Sequence, residues 1–329
     1  MEIGFFTAHE EYDPSTLLDH AEWAERAGFD TVWTSDHVHP WWHTDAECGA
    51  AWPWLGAALE RTDSVRIGTG VTPPIARYHP GAIAQAFATL GAMYPGRVHL
   101  ALGTGESMNE VPLDYEWPPY PERRRRLIEA CEIIGRLWDG GFVDYDGHHW
   151  SVNTMNLYTL PDERVPLYIA ANGPKSTEVA GRYADGLLTI VDNDRFENLL
   201  DPALEEAARD AGRDPDGIRR IKQLLVSYDE DYDDALESVG FWRGVPAVGF
   251  DAEIPDPREI EAEGRKMDVE EMTDTWVVAT DPAEILDELE AARAAGFDEV
   301  EIHSASPDQR AFVDAMAAEV LPHVDSSGG

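Results

Sequence analysis

His37 is the residue of this chain whose type and surroundings best suit it to moving a proton. It stands in Ser35-Asp36-His37-Val38-His39-Pro40-Trp41-Trp42-His43, nine residues that hold three histidines and two adjacent tryptophans. An imidazole titrates near neutral pH, and a neighbouring carboxylate such as Asp36 can fix its tautomer. A metal site would need His37, His39 and His43 to converge on one centre. Pro40 breaks helical spacing between them, and no nearby carboxylate pattern completes a ligand set. No metal is therefore expected. His39 and His43 read as structural side chains of a folded loop, and His37 reads as a general base. Glu106, in Gly103-Thr104-Gly105-Glu106, is the second candidate. Glycines such as Gly105 let a ligand approach the backbone closely, although the same carboxylate could simply be solvated on a loop. Partial burial would raise its pKa and make it a proton donor. Gly68-Thr69-Gly70-Val71 is open to both readings as well, a tight turn or a second place of close approach.

These groups are far apart in sequence, so the elements around them must bring them together. Short apolar runs at Ile3–Phe6, Thr31–Ser35, Arg66–Gly70, Val98–Leu102, Leu167–Ala170, Gly186–Thr189, Ile221–Ser227 and Glu299–His303 read as strands. Helical periodicity fills Ser15–Ala27, Gly81–Met93, Arg123–Trp138 and Pro282–Ala295. "AERAGFDTVW" and "ARAAGFDEVEIH", from opposite ends of the chain, each read as helix, glycine stop and buried strand. Eight strands with helical crossovers favour a (β/α)₈ TIM barrel over an open doubly wound sheet. No G-x-G-x-x-G follows the first strand, which weakens a Rossmann reading further. In such a barrel the active site lies at the C-terminal ends of the strands. Glu10 follows the first of these, Asp36-His37 the second, Gly70-Val71-Thr72 the third and Gly103–Glu110 the fourth. Phe142–Trp150 reads as a hairpin with an Asp-Gly turn. Residues 229–275 read as an acidic insertion of the kind that shapes a substrate pocket, within a single domain spanning 1–329.

Composition narrows the function class. The chain has 64 acidic and 25 basic residues, a net charge of −39, with only three lysines. The acids run along the whole sequence, and 43% hydrophobic residues with 11 tryptophans can supply a core, so disorder is a poor reading. A hydrated acidic surface that stays soluble in concentrated salt fits better and points to a halophilic source. Such a surface repels phosphate backbones and anionic lipid, which argues against nucleic-acid or membrane partners. Cys48 and Cys131 give neither a disulfide framework nor zinc spacing. With no signal peptide and no apolar span, the expected location is the cytoplasm.

"SDHVHPWWH", "GTGVTPP", "HPGAIAQAFATLGAMYPGRVHLALGTGESMNEV", "VPLYIAANGPKSTEVAGRYADG", "WVVATDP" and "PDQRAF" occur in this order over nearly the whole chain. Together they resemble the luciferase-like F420-dependent oxidoreductases, and within them the F420-dependent glucose-6-phosphate dehydrogenase type. The resemblance implies a homodimeric barrel that binds coenzyme F420, a 5-deazaflavin, in its mouth and transfers hydride to it from a carbinol carbon. It implies catalytic roles for His37 as base, Trp41 as a brace of the reacting centre, Glu106 as proton donor to the reduced ring, and Glu10. It implies cofactor contacts at Asp36, Gly70, Val71, Thr72, Gly105, Asn109, Ala171, Asn172 and Gly173, with a non-proline cis peptide at Gly70–Val71. The two lysines and one arginine that hold phosphate in the sugar-phosphate enzymes fall at Asn193, Asp251 and Thr275, so all three cations are absent. Arg195, Arg265 or Lys266 would have to compensate. A neutral alcohol or sugar is therefore the expected substrate. The rival readings are a sugar-phosphate dehydrogenase with a relocated anion site, an F420H2-dependent reductase, a flavin monooxygenase, and a barrel that only binds the deazaflavin.

Overall fold

The apolar runs become strands because each is covered on both sides, by helices outside and by its neighbours' side chains inside. The computed structural model describes residues 1–324. Its strands are β1 (Glu2–Thr7), β2 (Thr31–Thr34), β3 (Arg66–Thr72), β4 (Val98–Leu102), β5 (Leu167–Ala170), β6 (Gly186–Thr189), β7 (Arg219–Tyr228) and β8 (Glu299–Ser304). Each pairs in parallel with the next in sequence, and β8 returns to pair with β1 through Ile3↔Val300 and Phe5↔Ile302. The sheet is therefore a closed (β/α)₈ barrel.

The two similar units at the chain ends close it. β2 and β8 flank β1 on opposite sides. The helices before them, Pro14–Ala27 and Pro282–Ala294, give way to Gly28 at φ 100 and Gly296 at φ 97. A side chain would be strained there, so glycine reverses the chain into the strand. At their other ends Asp13 accepts from the Ser15 amide, and Asp281 forms a capping box with Glu284.

Alternation along the strands divides the core. Ile3 and Phe5 face the helices, whereas Phe6, Trp33, Tyr168 and Ile221 belong to a separate interior cluster. Room inside is made by glycines: a Cβ on Gly68 would stand 2.3 Å from His99 Cδ2. Buried Glu299 is held inside by Thr31 Oγ1 at 2.6 Å, Trp33 Nε1 at 2.9 Å and Arg219 Nε at 3.0 Å.

Two segments depart from the alternation. The hairpin pairs Val143–Asp146 with Ser151–Met155, so its second strand begins beyond the span read from sequence. Between β7 and a short strand at Val277–Ala279 the chain forms small helices, including Tyr232–Ser238, Gly244–Val248 and Pro257–Gly264. Among the described residues no helix is long and apolar enough to cross a membrane.

Candidate active site

A cavity of about 1160 Å³ opens at the C-terminal ends of the barrel strands. Its wall includes Glu10, His37, Trp41, Gly70, Val71, Gly105, Glu106, Ala171, Asn172 and Gly173. Strand direction accounts for this convergence, since loops distant in sequence leave the barrel at one rim.

The proton-handling groups form one continuous chain. Buried Glu10 places Oε1 3.3 Å from His37 Nε2. Its Oε2 accepts from Ser35 Oγ at 2.6 Å, and Ser35 Oγ in turn accepts from the His9 amide at 2.9 Å. On the other side of the imidazole, Asn109 Nδ2 lies 3.1 Å from His37 Nδ1 and donates to Glu106 Oε2 at 2.9 Å. Burial pushes the Glu106 pKa above its ordinary value, against the opposing charges of His37 and Arg77 and the Asn109 hydrogen bond. A partly buried carboxyl with a raised pKa is suited to donating a proton.

Aromatic and backbone surfaces frame that chain. Trp41 is buried and meets the His37 ring edge-on, with centroids 6.2 Å apart, and meets Phe250 at 5.7 Å. The Gly70–Val71 peptide is cis, and the β3–β4 register shifts between Thr69 and Thr72. A Cβ on Gly103 would come within 2.7 Å of Val71 Cγ2, and one on Gly105, at φ 69, within 3.0 Å of Pro73 Cβ. These glycines keep the wall flat. At Gly173, where the helix Pro174–Tyr183 begins, nothing lies within 4 Å of an added Cβ, so bare backbone faces the cavity.

Three other positions singled out from sequence stand behind this wall. Asp36 is buried, accepts from Thr72 Oγ1 at 2.7 Å and Tyr78 OH at 3.2 Å, and pairs with Arg77 at 3.3 Å. Thr72 is thereby turned to the same network, and Asn109 is buried between His37 and Glu106. His39 and His43 lie in loop contacts: His39 Nδ1 donates to the Pro255 carbonyl at 3.0 Å, and the His43 amide donates to Glu261 at 3.1 Å.

Of the positions aligned with phosphate-holding cations, Asp251 and Thr275 line the cavity, while Asn193 accepts from Lys222 Nζ at 2.6 Å. Arg195 lines the cavity and donates to the Asn172 carbonyl at 3.0 Å. Arg265 and Lys266 are instead paired with Glu261 and Glu263. Sequence reasoning passed over Lys222, Gln223, Trp242, Trp276 and His303, which also line the wall. The available signal was a lysine and a glutamine inside the otherwise apolar run of β7. His303 is no rival base, because burial holds its pKa down to about 3.

Comparison with known proteins places the chain in a family. A model of the luciferase-like monooxygenase family matches residues 1–299. An F420-dependent glucose-6-phosphate dehydrogenase of Microbacterium testaceum (strain StLB037) is 41% identical over 327 residues, which cover 98% of this chain and 97% of that protein. The similarly described protein of Beutenbergia cavernae is 40% identical, covering 98% and 97%. Among solved structures, an F420-dependent secondary alcohol dehydrogenase in complex with an F420–acetone adduct is 40% identical. It superposes with a TM-score of 0.94, covering 98% of each chain.

Proposed function

As the chain belongs to the luciferase-like monooxygenase family, we propose that it is a coenzyme F420-dependent dehydrogenase acting on the CH–OH group of a neutral alcohol or sugar. The observation that carries this reading is the continuous run of contacts Glu10–His37–Asn109–Glu106 at the cavity, with the cis Gly70–Val71 peptide on the same wall. Oxidising a carbinol releases a hydride from carbon and a proton from oxygen. Bound F420 supplies the hydride acceptor. The residues fit a planar cofactor: Gly70, Gly103 and Gly105 add no Cβ to the cavity lining, and Gly173 leaves backbone open there as well. The Glu10–His37 pair takes up the hydroxyl proton, Glu106 holds the proton that must accompany hydride, and Trp41 walls the reacting centre against water. Asp36 and Thr72 support that wall from behind, and Ala171 and Asn172 continue it.

The charge of the pocket favours a neutral substrate. Asp192, Asp274 and Glu288 line it in addition to Glu10, whereas Asp251 lines it in an ion pair with Arg123. A phosphate dianion entering this field would meet repulsion. The second reading, a sugar-phosphate dehydrogenase, rests on Lys175, Arg195 and Lys222, the cations among the described residues that line the cavity, and on the glucose-6-phosphate activity in the relatives' names. A charged hydrogen bond is worth about 1.5–3 kcal/mol, so such cations could restore part of what three substitutions remove. The remainder of the reading is a single barrel domain over residues 1–329, with 229–275 as an insertion that walls the pocket. It works as a cytoplasmic homodimer in concentrated salt, a setting supported by the net charge of −39.

The deciding experiment follows F420 reduction optically, in molar salt, across secondary alcohols, free sugars and sugar phosphates. Saturable turnover is expected with a neutral donor and weak turnover with glucose 6-phosphate. Efficient oxidation of glucose 6-phosphate at micromolar concentration would favour the second reading, and no F420 reduction with any donor would overturn the first.

A further inference from the structure

Asn109 touches both proton-handling groups, and its orientation is fixed by a third contact. Its Oδ1 accepts from the Val38 backbone N–H at 2.8 Å. A backbone amide can only donate, so the atom facing it must be the carbonyl oxygen. The opposite end, Nδ2, therefore carries both amide hydrogens toward His37 Nδ1 at 3.1 Å and Glu106 Oε2 at 2.9 Å. The side chain is fully buried, and every donor and acceptor on it is used.

We propose that Asn109 is a positioning residue that locks His37 in the neutral tautomer with its proton on Nε2, while the same amide steadies Glu106. An N–H donor facing Nδ1 requires a lone pair there. The ring proton is then on Nε2, 3.3 Å from Glu10 Oε1, a donor facing an acceptor. Protonating this tautomer would put a second hydrogen on Nδ1, directly opposite the Asn109 amide hydrogens. Asn109 thus disfavours the imidazolium, and the member of the pair left with a free lone pair at the cavity is Glu10, whose Oε2 is itself steadied by Ser35. The substrate's hydroxyl hydrogen leaves as a proton to that carboxylate, the O–H electron pair forms the new C=O bond as the carbinol C–H bond breaks and its hydrogen departs as hydride to the acceptor that F420 would supply, and His37 presents its Nε2–H to the oxygen as that bond forms. This assignment rests on the dehydrogenase reading for its chemical meaning, but the tautomer itself is a property of the chain alone.

The test is therefore made without cofactor or substrate. Imidazole ¹⁵N resonances of the ligand-free protein are recorded in molar salt near neutral pH, with His37→Ala used to assign His37. A pyridine-type Nδ1 and a pyrrole-type Nε2 are expected. Asn109→Asp places an acceptor opposite Nδ1 and should turn that nitrogen pyrrole-type, and the near-isosteric Asn109→Leu should give a mixture. A pyrrole-type Nδ1 in the native protein overturns the proposal, whether or not the variants fold. So does an unchanged pattern in a folded Asn109→Asp chain, shown by an unaltered circular dichroism spectrum. Failure of F420 reduction in the native protein would sink the dehydrogenase reading and leave the tautomer result standing.

Discussion

On the proposed reading the Glu10–His37 pair and Glu106 serve different protons, so substitutions of His37 and Glu106 should separate in the kinetics. His37→Ala is expected to keep cofactor affinity and lower turnover by roughly 10²–10⁴-fold, the usual weight of a general acid–base group. A wild-type single-turnover rate in that variant would remove His37 from the mechanism. As the proposed donor, Glu106 must be protonated, so activity should fall as pH rises through its elevated pKa. Glu106→Gln should be slower and should lose that alkaline limb; a limb that persists belongs to another group. Glu301 offers a purely structural counterpart. It is fully buried on β8, neither carboxyl oxygen has a hydrogen-bond partner among the described residues, and burial together with the Glu299 charge raises its pKa well above 4.5. The folded chain then holds a proton that the unfolded chain releases, so stability falls as pH rises from about 4.5 through the folded value. Glu301→Gln, neutral throughout, should lose less melting temperature than the native chain between about pH 6 and about pH 9. Equal losses in the two chains would contradict a neutral Glu301. Glu10, His37 and Glu106 were legible in the sequence because reactive side chains directly after buried runs have few other uses. Lys222 and Gln223 were not, since β7 reads as an ordinary apolar strand around them.

Each barrel strand was recognisable for a physical reason: burial on both faces leaves a dense apolar run, and the glycine stops at Gly28 and Gly296 mark where two of those runs begin. The hairpin's second strand escaped because only Val152 within Ser151–Met155 is buried, too little to set a period. The segment between β7 and Val277–Ala279 was not legible as helices, because their short apolar stripes are completed by contacts from elsewhere. Those contacts can be tested. Glu261, from the helix Pro257–Gly264, accepts from the His43 amide at 3.1 Å, the Thr44 amide at 2.8 Å and Thr44 Oγ1 at 2.7 Å. Against the cost of burial, the hydrogen bonds from Thr44, Arg265 and His43 hold its pKa down to about 2. Earlier in the same segment, a Cβ on Gly244 would stand 2.3 Å from the Trp41 carbonyl. The insertion thus pins the loop that carries Trp41 and Trp42. Glu261→Ala should destabilise the protein by about 1–3 kcal/mol and weaken substrate turnover, while F420 affinity, set on the glycine-lined side, stays unchanged. A denaturation curve and an F420 titration read the two effects separately; parallel loss of cofactor affinity would show that the insertion reaches further than these contacts.

At the scale of the whole molecule, charge dominates every local contact described above. Even if each of the 25 basic residues neutralised one acid, 39 carboxylates would remain without a cation. Many of the pairs that do form lie in solvent, such as Arg26–Glu22 and Arg310–Asp314, where an ion pair contributes only about 0–1 kcal/mol. The unmatched charge is therefore a repulsive load on the compact state, and its size depends on screening. The screening length is about 10 Å at 0.1 M salt and about 3 Å at 1 M, so molar salt separates most surface carboxylates electrically from their neighbours. Unfolding spreads the same charge over a larger volume, so dilute buffer should favour the unfolded chain and molar potassium chloride the barrel. The melting temperature is thus expected to rise steeply between the two conditions. An additional test distinguishes screening from ion binding: at equal ionic strength, sodium and potassium salts of the same anion should stabilise alike if screening is the cause. A melting temperature indifferent to salt would mean that the acidic surface carries no net repulsion in the folded state, and a strong preference between the two cations would point to specific binding instead.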